Sequence, residues 1–395
     1  MDYGVLSEQR MVRVRYFFIL FFFVTLCVSF FAFPATASCE DGEKLGKGME
    51  VVFLNPGKSD PSDPTGGFWR EVSSFMQAAA DDLGIDLEII YAERNHLLMG
   101  KEAEAVLSRE NLPDYLIVVN EKLAAGKIIA HADKKGVKVF NLLLNFYGDQ
   151  AAELGSPRDK YKNWIGGLVP DNRWAGYNLA RKLVEKAREQ GIAEEEMKLL
   201  PIAGDYATQA TLLRNQGLSY ARADFFDAKF FPEIHCLWRK DKAFELVTKF
   251  LKRDPKVNII WAANDPMALG AIEGVKKNGL TPGKDVLVGG INWDKPALEA
   301  VRDGSLALSV GGHFMTGGWG MVMLYDYHHG YDFVGKAGAM IRKRIFCVID
   351  ERNVERFLKR FGARDWSKID FKKFSKACNG DRSDYDFSVK ALLKN

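Results

Sequence analysis

The sequence predicts an α/β protein of two doubly wound lobes, each a parallel sheet flanked by helices, facing one another across a cleft. Three observations carry this reading. Short apolar runs of strand length alternate with amphipathic helical runs along most of the chain, and strict alternation implies parallel strands with crossover helices on both faces. The number of such units would make a single sheet very wide, so two lobes hold them more economically. The chain has 395 residues, 47% of them apolar and 27% charged, which is the profile of a globular protein of two or three domains.

In chain order, residues 49–55 read as a strand ended by Asn55-Pro56-Gly57, 68–83 as a helix, and 87–91 as a strand. Residues 101–108 continue as a helix, 115–119 as a strand, 124–135 as a helix and 137–144 as a strand. A second series holds helices at 172–190, 209–223, 241–253 and 266–278, and strands at 197–202, around 228–234, at 257–261 and at 286–289. Gly, Pro and Asn bound the strands, and the spacing of Ala and Leu marks the helices. Residues 149–161 and 350–395 read as irregular or charged. The second of these, with Glu355 to Phe361 and Phe371 to Phe374, reads as an appended amphipathic helical tail whose basic charges form a solvated face.

The N-terminus carries an export signal. Arg10, Arg13 and Arg15 precede an apolar run over 16–33, and Pro34-Ala35-Thr36-Ala37 follows. Basic region, apolar region and small residues at Ala35 and Ala37 predict a signal peptide cleaved after Ala37, and hence a periplasmic protein. An uncleaved anchor, or a lipoprotein on Cys39, is the less favoured alternative. The expected organisation is 1–37 signal peptide, 48–170 plus 313–346 first lobe, 171–311 plus 347–352 second lobe, and 353–395 helical extension. Outside the signal lie Cys39, Cys236, Cys347 and Cys378, and Cys347 with Cys378 is the preferred disulfide, with buried free thiols as the alternative.

The net charge of +3 gives no support for a nucleic-acid partner and fits a binder of uncharged, hydroxyl-rich ligands. Motifs for catalysis or metal binding are missing. The stretch Gly42 to Gly48 has three residues between glycines where a phosphate loop needs four, and it precedes the first strand. There is no G-x-S-x-G elbow and no H-E-x-x-H helix. Asp60 to Glu71 fails as a calcium loop because Thr65 stands where glycine is required. His328-His329 is a poor metal pair. A missing motif does not exclude an enzyme, but nothing here assembles a nucleophile with a base, and no catalytic residue, metal or cofactor is assigned.

What remains is a set of aromatic, amide and arginine residues placed just after strands. Gly67-Phe68-Trp69 opens a helix, Trp238 follows a strand, Asn264-Asp265 and Asn292-Trp293-Asp294 each follow one, and Arg214 lies early in a helix. Sugar recognition calls for this mixture, because flat aromatic faces cover the C–H surface of a ring while planar amide and guanidinium groups bond adjacent hydroxyls. Asn264-Asp265 equally reads as a helix cap, and Trp174, Trp319 and His235 read as packing or rim residues.

These residues resemble a family. The stretch Ala263 to Ala271 is similar to the N-D-x-M-A-L-G-A signature of type I periplasmic binding proteins, the group of ribose- and galactose-binding proteins and LacI-type effector domains. Trp164 to Gly167 through Asp171-Asn172, Arg214 to Leu218, Val288 to Asn292, and Leu306 to Val310 add support, and the resemblance spans about 49–350. It implies two Rossmann-like lobes joined by a multi-strand hinge. It also implies ligand contacts at Phe68, Trp69, Arg214, Trp238, Asn264 and Asn292, with Gly312 or His313 at the hinge. The family's N-lobe Asp-Arg pair is not found, leaving Asn141 and Asn145 as the polar candidates there, and Asn292 replaces the usual Asp. The implied function is capture of a sugar or sugar-like molecule by a monomeric receptor and its delivery to an ABC permease. The loop from Asn55 to Arg70 also resembles the start of periplasmic autoinducer receptors, which implies a sensory alternative partnered by a membrane histidine kinase or cyclase. A secreted α/β hydrolase is the alternative from another class.

Overall fold

The computed structural model describes residues 48–60, 62–63, 67–335, 338–380 and 384–393. The expected signal peptide lies outside the described residues.

Two sheets form. The first orders its strands β2-β1-β3-β4-β5-β12, from β1 (Glu50–Asn55), β2 (Asp86–Tyr91), β3 (Tyr115–Val119), β4 (Lys138–Leu142), β5 (Trp164–Pro170) and β12 (Met340–Lys343), with every pairing parallel. The second orders β13-β11-β10-β9-β6-β7, from β6 (Lys198–Ala203), β7 (Lys229–Phe230), β9 (Ile259–Ala262), β10 (Leu287–Asn292), β11 (Leu308–Gly311) and β13 (Cys347–Ile349). β8 (Ile234–His235) also pairs with β6, and β13 runs antiparallel to β11. The chain thus passes between lobes after β5, after β11 and between β12 and β13.

Helices cover both faces of each sheet, as side-chain alternation along the strands requires. In the first lobe Val51 and Phe53 of β1 join the cluster that includes α1 (Gly67–Leu83), while Val52 and Leu54 join the cluster of α2 (His96–Leu107) and α3 (Ala125–Lys135). In the second lobe a Cβ on Gly289 would meet Leu179 and Leu183 of α5 (Asn172–Glu189). One on Gly290 would meet Asp265 and Ala268 of α8 (Asp265–Lys277), so these two helices lie on opposite faces. α5 packs against α6 (Gln209–Asp224), α8 against α7 (Lys240–Arg253), and α9 (Lys295–Arg302) covers β11.

Several elements depart from the expected ones. Residues 149–161 are not wholly irregular, because α4 (Gly148–Leu154) forms there. The strand expected over 137–144 stops at Leu142, and Leu143 takes a left-handed conformation. A helix not foreseen, α10 (Thr316–His328), packs on α1. The tail is built of short helical pieces: α11 (Val354–Phe361) is followed by 3-10 turns at Trp366–Lys368 and Phe371–Phe374 and by four-residue helices at Lys376–Asn379 and Val389–Leu392, which pack back onto the body.

The preferred disulfide does not form. Cys347 is a free thiol on β13, registered opposite Gly311 in the second sheet, and Cys236 is also free. Cys378 is disulfide-bonded but lies beside Ser375, which docks on Asp326 of α10. The two positions expected to pair are held by different lobes.

Candidate functional site

In open parallel sheets the ligand crevice lies at the carboxyl ends of strands where strand order reverses. Here those points are β1 beside β3 in the first sheet and β6 beside β9 in the second. A cavity of about 330 Å³ lies there, lined from the first lobe by Lys58, Phe68, Trp69, Arg94, Glu121, Lys122, Leu143 and Leu144. The second lobe supplies Asn172, Asp205, Thr208, Ala210, Arg214, Leu237, Trp238, Arg239, Asn264 and Asn292, and His313 lies at the crossover after β11. This volume is at the compact end of small-molecule sites.

Each aromatic is aimed by a local device. Buried Asn55, at the end of β1, donates from Nδ2 to Trp69 O (3.2 Å) and Ser73 Oγ (2.8 Å), and its Oδ1 accepts from Gly57 N (2.7 Å). The first turn of α1 is thereby pinned to the strand end, with Phe68 edge-on to Trp69 at 5.2 Å and stacked on His313 at 4.6 Å. Trp238 sits in a tight turn where both Leu237 and Trp238 are left-handed, and its ring lies over Gly204, where a Cβ would come within 2.3 Å. Left-handed backbone at two consecutive bulky residues is costly, and such strain clusters at binding sites.

Arg214 forms the polar centre. α5 and α6 approach so closely that a Cβ on Gly176 would lie 2.0 Å from Arg214 O, and one on Gly217 2.0 Å from Arg173 O. That contact brings Arg214 to Asn172. Arg214 is 4% exposed, and its guanidinium donates from Nε to Asn172 Oδ1 (2.9 Å), from Nη1 to Ala263 O (2.5 Å) and from Nη2 to His313 Nε2 (3.1 Å). Arginine only donates, so His313 Nε2 is the acceptor and the imidazole proton resides on Nδ1. Burial, reinforced by the Arg214 charge, holds His313 well below its ordinary 6.5, and the ring is neutral. Burial likewise lowers Arg214, to about 9, which leaves it charged at neutral pH.

Of the residues expected from sequence, Phe68, Trp69, Arg214, Trp238, Asn264, Asn292 and His313 converge on the cavity. Asn145 does not. It lines a neighbouring depression with Phe146 and Trp164, its Oδ1 accepts from Phe146 N (2.8 Å), and its own N–H donates to Gln209 Oε1 across the lobes (2.7 Å). Asn141 is buried behind the wall and donates to Leu144 O (2.7 Å). Asn264 both lines the cavity and caps α8, accepting from Met267 N (2.9 Å). Asp265 is no cap: its carboxylate accepts from Ser309 Oγ (2.8 and 2.9 Å) and Asp294 N (2.9 Å) in the interior. Trp293, which also follows a strand, is core and donates from Nε1 to Ser309 O (3.1 Å). Asn172 is a cavity residue that sequence reasoning passed over, although it begins the helix within one of the matched stretches, and Thr208, Leu143 and Leu144 carried no signal.

The residues 61–331 match the family model described as a periplasmic binding protein domain. The chain belongs to the type I periplasmic binding proteins. This periplasmic binding protein is 34% identical to a periplasmic sugar-binding protein from Pseudomonas fluorescens, with a TM-score of 0.77 over 88% of this chain and 100% of that one. It is 25% identical over 246 residues to the D-allose-binding periplasmic protein of Escherichia coli, covering 62% of this chain and 74% of the other. It is 21% identical over 243 residues to the ribose import binding protein RbsB of Bacillus subtilis, covering 62% and 71%. These relatives are solute-binding proteins, and this protein, like them, is a binder and not an enzyme.

Proposed function

We propose that this protein is exported to the periplasm with cleavage after Ala37, captures a sugar or sugar-like molecule in the interlobe cavity, and delivers it to an ABC importer. The observation that carries the reading is the cavity wall itself: the faces of Phe68, Trp69 and Trp238 stand around the buried Arg214, Asn172, Asn264 and Asn292. Apolar faces and convergent polar groups suit a small, ring-shaped, hydroxylated solute. Relatives named for D-allose and ribose support the same ligand class.

Ligand would act as a bridge between lobes. Among the described residues, the Asn145–Gln209 hydrogen bond and the Lys122–Asp205 ion pair at 3.6 Å already span the cleft. A solute touching Phe68 and Trp69 on one side and Arg214 and Asn264 on the other binds the closed arrangement better than an open one, and by that difference shifts the population towards it. Isothermal titration of the mature chain against a monosaccharide panel tests the reading. Tight, stoichiometric binding without turnover is expected, and product formation or silence across a panel of neutral sugars and sugar acids overturns it.

A further inference from the structure

Five cations line the cavity, and they divide into two kinds. Lys58, Arg94, Lys122 and Arg239 each have a carboxylate partner: Glu93 at 3.9 Å, Glu121 at 3.0 Å, Asp205 at 3.6 Å, and Asp241. Arg214 does not. Among the described residues its three hydrogen bonds all run to neutral acceptors, and its guanidinium lies over the Trp238 ring at 5.7 Å. The acid that acts on it, Asp265, has its oxygens engaged by Ser309 and Asp294, and burial beside Asp294 pushes it towards the neutral form. Asn292 adds no charge at the end of β10.

The guanidinium and its histidine partner both keep unused donors. Three of the five guanidinium N–H bonds are taken, so two are left. His313 Nδ1, which carries the imidazole proton, is buried without a partner among the described residues. Two of the cavity's amide oxygens are already engaged, Asn172 Oδ1 by Arg214 and Asn264 Oδ1 by Met267 N. A buried cation with no charged partner and with donors left over is unfavourable unless something anionic completes it.

We propose that the ligand supplies the missing charge: the cavity takes a sugar acid, its carboxylate forked on Arg214 and its hydroxylated remainder held between the Phe68–Trp69 and Trp238 faces. This rests on the reading of the cavity as a site for hydroxylated solutes and narrows it. Planar carboxylate and planar guanidinium match in a two-point contact that a neutral hydroxyl pair meets less strongly. The near-neutral charge of the whole chain does not oppose this, because the field that matters is local to the cavity floor.

Calorimetric titration of the mature chain with matched pairs tests the proposal: D-glucose with D-gluconate, D-galactose with D-galacturonate, and D-ribose with D-ribonate. In at least one pair the acid is expected to bind tenfold or more tighter than its neutral partner. Arg214→Gln should abolish that preference and Arg214→Lys retain part of it, with circular dichroism melts confirming both variants folded. Neutral sugars bound as tightly as, or tighter than, their acids in every pair that binds overturn the charge assignment and leave sugar binding standing. Preference for a sugar phosphate over every acid overturns the carboxylate assignment. Silence from every member overturns both readings.

Discussion

At the scale of single residues, Arg214 and His313 define each other. The arginine's Nη2 donates to His313 Nε2, so the imidazole must stay neutral for that bond to exist. Arg214→Ala is expected to weaken ligand binding by about 1–3 kcal/mol, the worth of a charge-assisted hydrogen bond, and calorimetry reads it directly. His313 sets a pH dependence of stability. Its folded-state value lies well below 6.5, so as pH falls below about 6.5 the unfolded chain takes up a proton that the folded chain refuses, and stability is lost. Asp265 acts with the opposite sign, being raised by burial and by Asp294. Comparing variant with wild type isolates the histidine: the melting temperature of His313→Gln should fall less steeply than wild type between pH 7 and about pH 5. The candidate residues were legible at strand ends and at the starts of the helices after them, as for Asn292 closing β10, Trp238 just past β8 and Phe68 opening α1. Asn145 failed that test because the chain turns at Leu143, left-handed just past β4, and Asn145 faces a different depression.

At the scale of elements, the contact between α5 and α6 positions the guanidinium. The glycines at 176 and 217 let the two backbones meet, and Gly217→Ala would force a Cβ to within 2.0 Å of Arg173 O. Such overpacking is expected to cost about 1–3 kcal/mol, measured by denaturant unfolding, and to weaken ligand binding as α6 shifts. Most crossover helices and strands could be read from the alternation of apolar runs. α10 could not, for a physical reason. Its first five residues, Thr316-Gly317-Gly318-Trp319-Gly320, look like a loop, yet glycine is what the site demands: a Cβ at Gly317 or Gly318 would reach within 2.6 Å of Val72 O or 2.5 Å of the Phe75 ring. The helix is buried nearly all round, so it carries no amphipathic period.

At the scale of the whole molecule, the segment after Asp350 is a strap and not a free tail. α11 lays Phe357 on Trp293 of the second lobe at 5.0 Å. Trp366 then meets Phe75 of the first lobe at 5.4 Å, Phe371 N donates to Asp82 Oδ2 (2.7 Å), and Phe387 stacks on Trp319 at 4.8 Å. Buried Asp326 of α10 holds the far end, accepting from Ser375 Oγ (2.5 Å), Lys376 N (2.9 Å), Ala377 N (2.9 Å) and Tyr385 OH (2.8 Å). Asp326→Ala leaves those donors without an acceptor, at about 1–3 kcal/mol for each that stays buried. The melting temperature should drop, and limited proteolysis should cut after Phe371 sooner than in wild type. Ligand affinity should change little, since none of these groups lines the cavity. The exposed Arg356 and Lys359 agree with a solvated basic face, whereas the segment's aromatic residues are what bind it to both lobes.

Sequence by itself determined the two-lobed α/β plan and pointed to seven of the residues that line the cavity, because both depend on local order along the chain: periodicity makes the elements, and strand ends in parallel sheets point to the crevice. The tertiary structure alone decided three things. It paired Arg214 with Asn172 and His313, residues 42 and 99 positions away. It placed Cys347 and Cys378 on different lobes. It also turned an irregular C-terminal segment into a strap. Each depends on which side chains meet across long sequence distance, and no local period encodes that meeting.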